Sequence, residues 1–216
     1  MDNVAIGIQV HSGWGALVAV ASDGGGVTVL HRARLEITSD EIAGWKQPYH
    51  FAENLGLSEA QRHLGNCAAA SSRLAARALR DVVERLQAEK KGAVGSAILL
   101  GSGRPLPSLA SILSSRALIH TAEGEFFRRI FWTACCQLGI PVAGFRARDL
   151  DHCATTVLGK AAKSKLERNI RTLGKSIGPP WTSDQKNAAL AASLVLLGDT
   201  RKVRACSHEP ANLAIS

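Results

Sequence analysis

Short apolar blocks separated by turn residues fill the first 37 positions, a pattern that predicts three strands in succession. The first covers residues 4–10. Gly13-Trp14-Gly15 turns the chain into a second at 16–21, and Ser22-Asp23-Gly24-Gly25-Gly26 leads to a third at 27–37. In the third, Val27, Val29, His31, Ala33, Leu35 and Ile37 alternate with Thr28, Leu30, Arg32, Arg34 and Glu36, so one face is polar apart from Leu30. Residues 38–57 have no period and predict a connecting loop with a turn of helix, carrying Trp45, Tyr49, His50 and Glu53.

A helical period then takes over. Ser58 and Gln61 have capping-box spacing at the start of a helix that runs to about residue 91. Its predicted buried stripe is Leu64, Cys67, Ser71, Leu74, Ala75, Ala78, Val82 and Leu86, with Arg73, Arg77 and Arg80 on the other side. A fourth strand at 96–100 feeds the loop Gly101-Ser102-Gly103-Arg104. After a short helical stretch, His120-Thr121-Ala122-Glu123-Gly124-Glu125 opens a helix to about residue 138. Gly139-Ile140-Pro141 ends it and starts a fifth strand at 142–145. From residue 151 the pattern is helical, with a basic section at 160–175 and an apolar last helix from about 183 to 197. Residues 199–216 show no period and predict a frayed tail. The order β-β-β-α-β-α-β-α defines one α/β domain over residues 1–198, a mixed sheet with helices packed on it.

Composition narrows the class. With 46% hydrophobic and 20% charged residues, the chain has the balance of a soluble globular protein, which excludes wholesale disorder. The apolar run at 188–197 is too short to span a bilayer, and the N-terminus lacks a signal-type n-region, so no membrane partner and a cytoplasmic location are expected. Five cysteines without a metal-type CxxC spacing fit buried small hydrophobes in a reducing compartment. The excess of 26 Lys+Arg over 18 Asp+Glu gives a formal +8 and favours an acidic partner.

The strand and helix succession resembles that of the ribonuclease H-like fold. Ile6-Gly7-Ile8-Gln9-Val10-His11-Ser12-Gly13 looks like the first strand and turn of its RuvC-type Holliday-junction resolvases. The segment Gly178-Pro179-Pro180 followed by Ser183-Asp184-Gln185-Lys186-Asn187-Ala188-Ala189-Leu190-Ala191 resembles their last helix. The resemblance implies carboxylates on the first strand, the fourth strand and the last helix, holding Mg²⁺ or Mn²⁺ for phosphodiester hydrolysis. This chain departs from that pattern: Gln9 stands at the first-strand position, Leu100-Gly101-Ser102-Gly103 has no acid, and Asn187 follows Asp184. A standard two-metal site is therefore not supported.

Other residues carry candidate chemistry. His120 and Glu123 share a helix face at i, i+3, and the resemblance brings this helix close to the expected site. The structural alternative makes Thr121 an N-cap, with Glu123 and Glu125 complementing the helix dipole. The first functional reading is an altered phosphodiesterase site of Asp184, Glu123, Glu125 and His120, with Asp184 and Glu123 as metal ligands and Arg104, Lys186 and Lys163 as phosphate contacts. Whether His11, His50 and Glu53 join it stays open. The second reading is an inactive ribonuclease H-like domain that binds nucleic acid or a protein. Lys160, Lys163, Lys165, Arg168, Arg171 and Lys175, with Arg73, Arg77 and Arg80, would face a duplex or branched nucleic acid in either case. A solvated helix face is the structural alternative for this run. Residues 188–197 would pack internally or across a homodimer interface.

Overall fold

The computed structural model describes residues 2–24 and 26–212; Gly25 of the second predicted turn and residues 213–216 of the predicted tail lie outside the described residues. β1 (Asp2–His11), β2 (Trp14–Ser22) and β3 (Val27–Glu36) form an antiparallel meander. β4 (Lys91–Leu100) and β5 (Val142–Arg146) then add in parallel to β1, giving the order β3-β2-β1-β4-β5. The result is a mixed five-stranded α/β sheet with helices packed on it, the layer architecture that the sequence predicts. Among the described residues no helix is long and apolar enough to cross a membrane.

Period-2 alternation in β1 divides the core. Val4, Ile6, Ile8 and Val10 face α2 (Leu57–Ala88) and α4 (Arg116–Gln137), with α1 (Pro48–Ala52) and α3 (Leu109–Leu113) beside them. Ala5 and Gly7 face the opposite layer, which comprises α5 (Leu150–Leu158), α6 (Lys160–Ile177), α7 (Ser183–Leu197) and α8 (Thr200–Cys206). α7 lies directly on the sheet. A Cβ on Gly7 would stand 1.9 Å from the Ala188 carbonyl oxygen, and Ala188, Ala189, Ala191 and Ala192 supply the small face that permits this approach. The apolar stretch of α7 thus packs internally, against β1, β2 and β4.

Several elements differ from the sequence expectation. The alternation in β3 changes face where the register to β2 slips between Ala19 and Val20, a bulge opposite Leu30. Val27 and Val29 consequently pack with α6 and α7, whereas Leu30, Ala33 and Leu35 pack with α2 and α4. α2 is capped at Gly56 without a side-chain bond, so Ser58 and Gln61 form no capping box. α2 ends at Ala88, Lys90 takes a left-handed φ of 60°, and β4 begins at Lys91, pairing from Asp2↔Lys91 onward. α4 begins at Arg116, so Thr121 is no N-cap. Its hydroxyl donates to the Ala117 carbonyl at 3.0 Å. α8 occupies part of the predicted frayed tail, with Asp199 capping it through Arg201 and Lys202 N–H.

The start of α7 does follow the sequence. Gln185 N–H donates to Thr182 Oγ1 and Thr182 N–H donates to Gln185 Oε1, completing a capping box. Arg32 from β3 donates to the carbonyls of Ile177, Gly178, Pro179 and Pro180, fixing the link from α6 to α7. Trp181 Nε1 donates to the Ile170 carbonyl and its ring lies against Gly174. These bonds place the first turn of α7 beside the tip of β1.

Candidate functional site

The C-terminal ends of parallel β1 and β4 open a crevice between the two helical layers, where α/β sheets commonly receive ligands. Gln9 pairs in register with Leu99. Gln9 and His11 share the β1 face that looks toward α7. His11 Nε2 stands 3.1 Å from Asp184 Oδ2, each side chain 35% exposed. The His11 ring stacks on Trp14 with centroids 4.2 Å apart, and the Arg34 guanidinium carbon sits 3.5 Å from the centre of the same indole. Gln9 Oε1 is buried with no hydrogen-bond partner among the described residues.

On the opposite side of the β1 tip lies a second group. Glu123 is 3% exposed, and its Oε2 accepts from the backbone N–H of Tyr49 (3.0 Å) and His50 (3.3 Å) and meets His50 Nδ1 at 3.1 Å. Pro48 begins α1 just before these two N–H groups, so Glu123 caps the start of a neighbouring helix. Burial pushes the Glu123 carboxyl up to about 8, against the opposing pull of the two backbone bonds. Its Oε1 has no partner among the described residues. The His120 ring packs edge-on against His50 at 4.7 Å.

Arg128 joins this group. It lies across Gly124, where a Cβ would meet its Nη1 at 2.6 Å, and the same nitrogen donates to Glu125 Oε1 at 3.0 Å. Its Nε is buried and unpartnered among the described residues. Val10, His11, Ser12, Gln47, His50, His120, Glu123, Gly124 and Arg128 line one polar cavity of about 240 Å³. His11 borders both groups.

The predicted residues are therefore split. His120 and Glu123 line the cavity on the α4 side, and Asp184 reaches its rim only through His11. Glu125, two positions from Glu123 on the helix, points elsewhere: it holds Arg128 and accepts Ala211 N–H at 3.1 Å, and a Cβ on Gly101 would press on it at 2.7 Å. The dipole-complement reading of both glutamates fails because each is buried beyond the first turn of α4. Arg104 is exposed in the loop after β4, and Lys186 is half-buried on α7. The Lys163 ammonium is held by Asp151 and by Glu167 at 3.5 Å, so it is not a free phosphate contact. Glu53 is exposed and does not line the cavity, whereas His50 and His11 do. Arg128 and Trp14 escaped the sequence reading. The i, i+3 spacing of Glu125 and Arg128 was the one signal for the former.

These residues do not fit the divalent-metal centre that the resemblance implies. Hard cations need several carboxylate or carbonyl oxygens around one point. Here the β1 position is an amide, Asp184 faces His11, and Glu123 directs one oxygen at N–H donors. Among the described residues no group of three or more His, Cys, Asp or Glu is placed to hold a metal ion.

No protein-family model and no curated protein matches the chain. Among solved structures it is similar to Thermus thermophilus RuvC in complex with Holliday junction substrate, with TM-score 0.47, 16% identity, and 88% of this chain and 91% of that chain covered. A second Thermus thermophilus RuvC structure gives TM-score 0.43 and 18% identity over the same shares.

Proposed function

We propose that the protein is a nucleic-acid-binding domain of the ribonuclease H-like fold that takes a phosphodiester backbone into the β1 crevice without a divalent metal. One observation carries this reading. Lys160, Lys165, Arg168, Arg171 and Lys175 are all exposed on α6, while Leu166, Ile170 and Leu173 bury its other side. The C-terminal end of that strip runs through residues 178–182 into the first turn of α7, where Asp184 meets His11. A backbone lying on α6 is thus led to the crevice, and each neutralised phosphate releases counterions. Arg73, Arg77 and Arg80 are exposed too, but on α2, in the layer across the sheet. The two basic groups do not form one surface.

The alternative reading from sequence, a metal-dependent phosphodiesterase, requires the hard-oxygen donor set that Gln9 and the His11–Asp184 pair do not provide. The test is fluorescence anisotropy with labelled duplex and four-way DNA, in chelator and in Mg²⁺, across salt. Binding should persist in chelator and weaken on the order of a hundredfold between about 50 and 200 mM salt if four phosphates are neutralised. Absence of binding at low salt would overturn the reading and turn the search to a protein partner. Mg²⁺-dependent cleavage of either DNA would restore the metal-dependent one.

A further inference from the structure

The cavity at the β1 tip is walled by side chains whose hydrogen-bonding capacity the fold itself does not fully use. Arg128 Nε is buried without a partner among the described residues, although its Nη1 is tied to Glu125. Buried guanidinium N–H groups are rarely left unpaired, and the planar fork suits tetrahedral oxyanions. The imidazoles of His50 and His120 meet at 4.7 Å on the same wall, and His11 closes the rim. From this juxtaposition we infer that the cavity is a subsite for a single phosphoryl group, anchored by the Arg128 guanidinium and walled by His50 and His120. The inference deepens the nucleic-acid reading and rests on it for the source of the phosphate.

Size and charge agree with that occupant. At about 240 Å³ the cavity is below the roughly 300 Å³ at which pockets for drug-sized ligands begin, so it admits a small group and not a whole nucleotide. The one carboxyl on its wall, Glu123, is driven toward its neutral form by burial, so it sets little negative charge against an anion there. Arg128 is positioned from behind. Glu125 Oε1 holds Nη1 while Glu125 Oε2 accepts Ala211 N–H, so residues 207–212 help set the anchor. The same segment is fastened by His208 N–H to the Gly144 carbonyl and by Arg129 to the Pro210 and Ala211 carbonyls. Glu125 is thus a positioning residue acting through Arg128.

The experiment is a titration with inorganic phosphate, read by the ring resonances of the histidines in a ¹H–¹³C spectrum at fixed pH and ionic strength. His50 and His120 should shift saturably in the millimolar range, while His31 and His152, which do not line the cavity, stay still. The double variant E125Q/R128Q removes both charges of the pair together, so neither is left buried alone, and should weaken phosphate binding at least about tenfold. H120A, at an exposed position, is the second variant and should weaken it several-fold without loss of fold. Duplex DNA is titrated alongside. Unshifted His50 and His120 in wild type, or equal phosphate binding by the double variant, overturns the subsite. If duplex still binds in that case, the broader reading stands without it. Phosphate binding without duplex binding keeps the subsite and overturns the nucleic-acid source.

Discussion

His11 Nε2 and Asp184 Oδ2 stand 3.1 Å apart and tie the tip of β1 to the first turn of α7. The contact joins residues 173 positions apart in sequence, because Arg32 and the Thr182–Gln185 capping box have already fixed where α7 begins. Its chemical consequence is that the last-helix acid is turned toward an imidazole.

Asp184→Asn tests whether this contact is structural or functional. Both side chains are one-third exposed, so the pair contributes at most about 1 kcal/mol after solvent screening. The capping box remains in the variant, and urea unfolding should shift by less than that amount. A loss of several kcal/mol would mean that the contact holds the sheet edge and is not available for ligands.

Glu123 makes stability depend on pH in an unusual direction. Its folded-state value of about 8 lies above the ordinary 4.5 of a free glutamate, so between these limits the folded state binds more protons than the unfolded one. The contribution is fully present below about 4.5 and is lost as pH rises toward and through 8, amounting to a few kcal/mol. Glu123→Gln mimics the neutral acid. Melting temperatures of wild type and variant should be close near pH 5, and the variant should melt several degrees higher near pH 9. His50 touches this carboxyl, and Tyr49 and Cys67 feel its charge; all three are unchanged in both proteins, so the difference between the two curves reports on Glu123. Equal curves at both pH values would show that the carboxyl is ionised in the folded protein.

Gly7→Ala tests the contact that brings α7 to the sheet. The added Cβ would stand 1.9 Å from the backbone oxygen of Ala188, and backbone cannot yield as a flexible side chain can. Overpacking of this kind costs about 3 kcal/mol or more, because α7 must lift from β1. Thermal unfolding should show a fall of several degrees, and His11 and Asp184 should separate. An unchanged melting temperature would mean that the backbone of α7 at Ala188 does not press on β1 at Gly7.

The succession of strands along the chain was legible because β1, β2 and β4 carry nearly unbroken apolar runs bounded by glycine turns, whereas their order in the sheet rests on pairing that leaves no local mark. The switch of face in β3 was not, since a bulge adds one residue without a sequence mark other than Leu30 itself. Likewise the capping box at Thr182 was visible as a local spacing, whereas the start of α4 was misplaced by four residues because Ser115 makes no side-chain cap and Thr121 imitates one. The site shows the same limit. His120, Glu123 and Asp184 stood out by residue type, but their division between two faces of β1 depends on parity and packing across more than a hundred residues of chain. Arg128 gained its place only through the absence of a side chain at Gly124.

Charge reversal distinguishes a functional basic strip from a solvated helix face. Lys165, Arg168 and Arg171 are exposed on α6, so replacing them with Glu should change stability by no more than about 0.5 kcal/mol each. If the backbone of a nucleic acid lies on α6, the triple variant should lose duplex affinity by more than tenfold and show a shallower salt slope, since fewer counterions are released. Arg73, Arg77 and Arg80 provide the control. They alter net charge by the same amount when reversed but sit on α2, in the layer across the sheet. Their reversal should reduce affinity only through the general field, which salt screens within about 10 Å at 0.1 M. Anisotropy titrations of the two triple variants at that ionic strength decide the matter: equal losses would mean that net charge alone attracts the nucleic acid, and that neither helix provides a binding face.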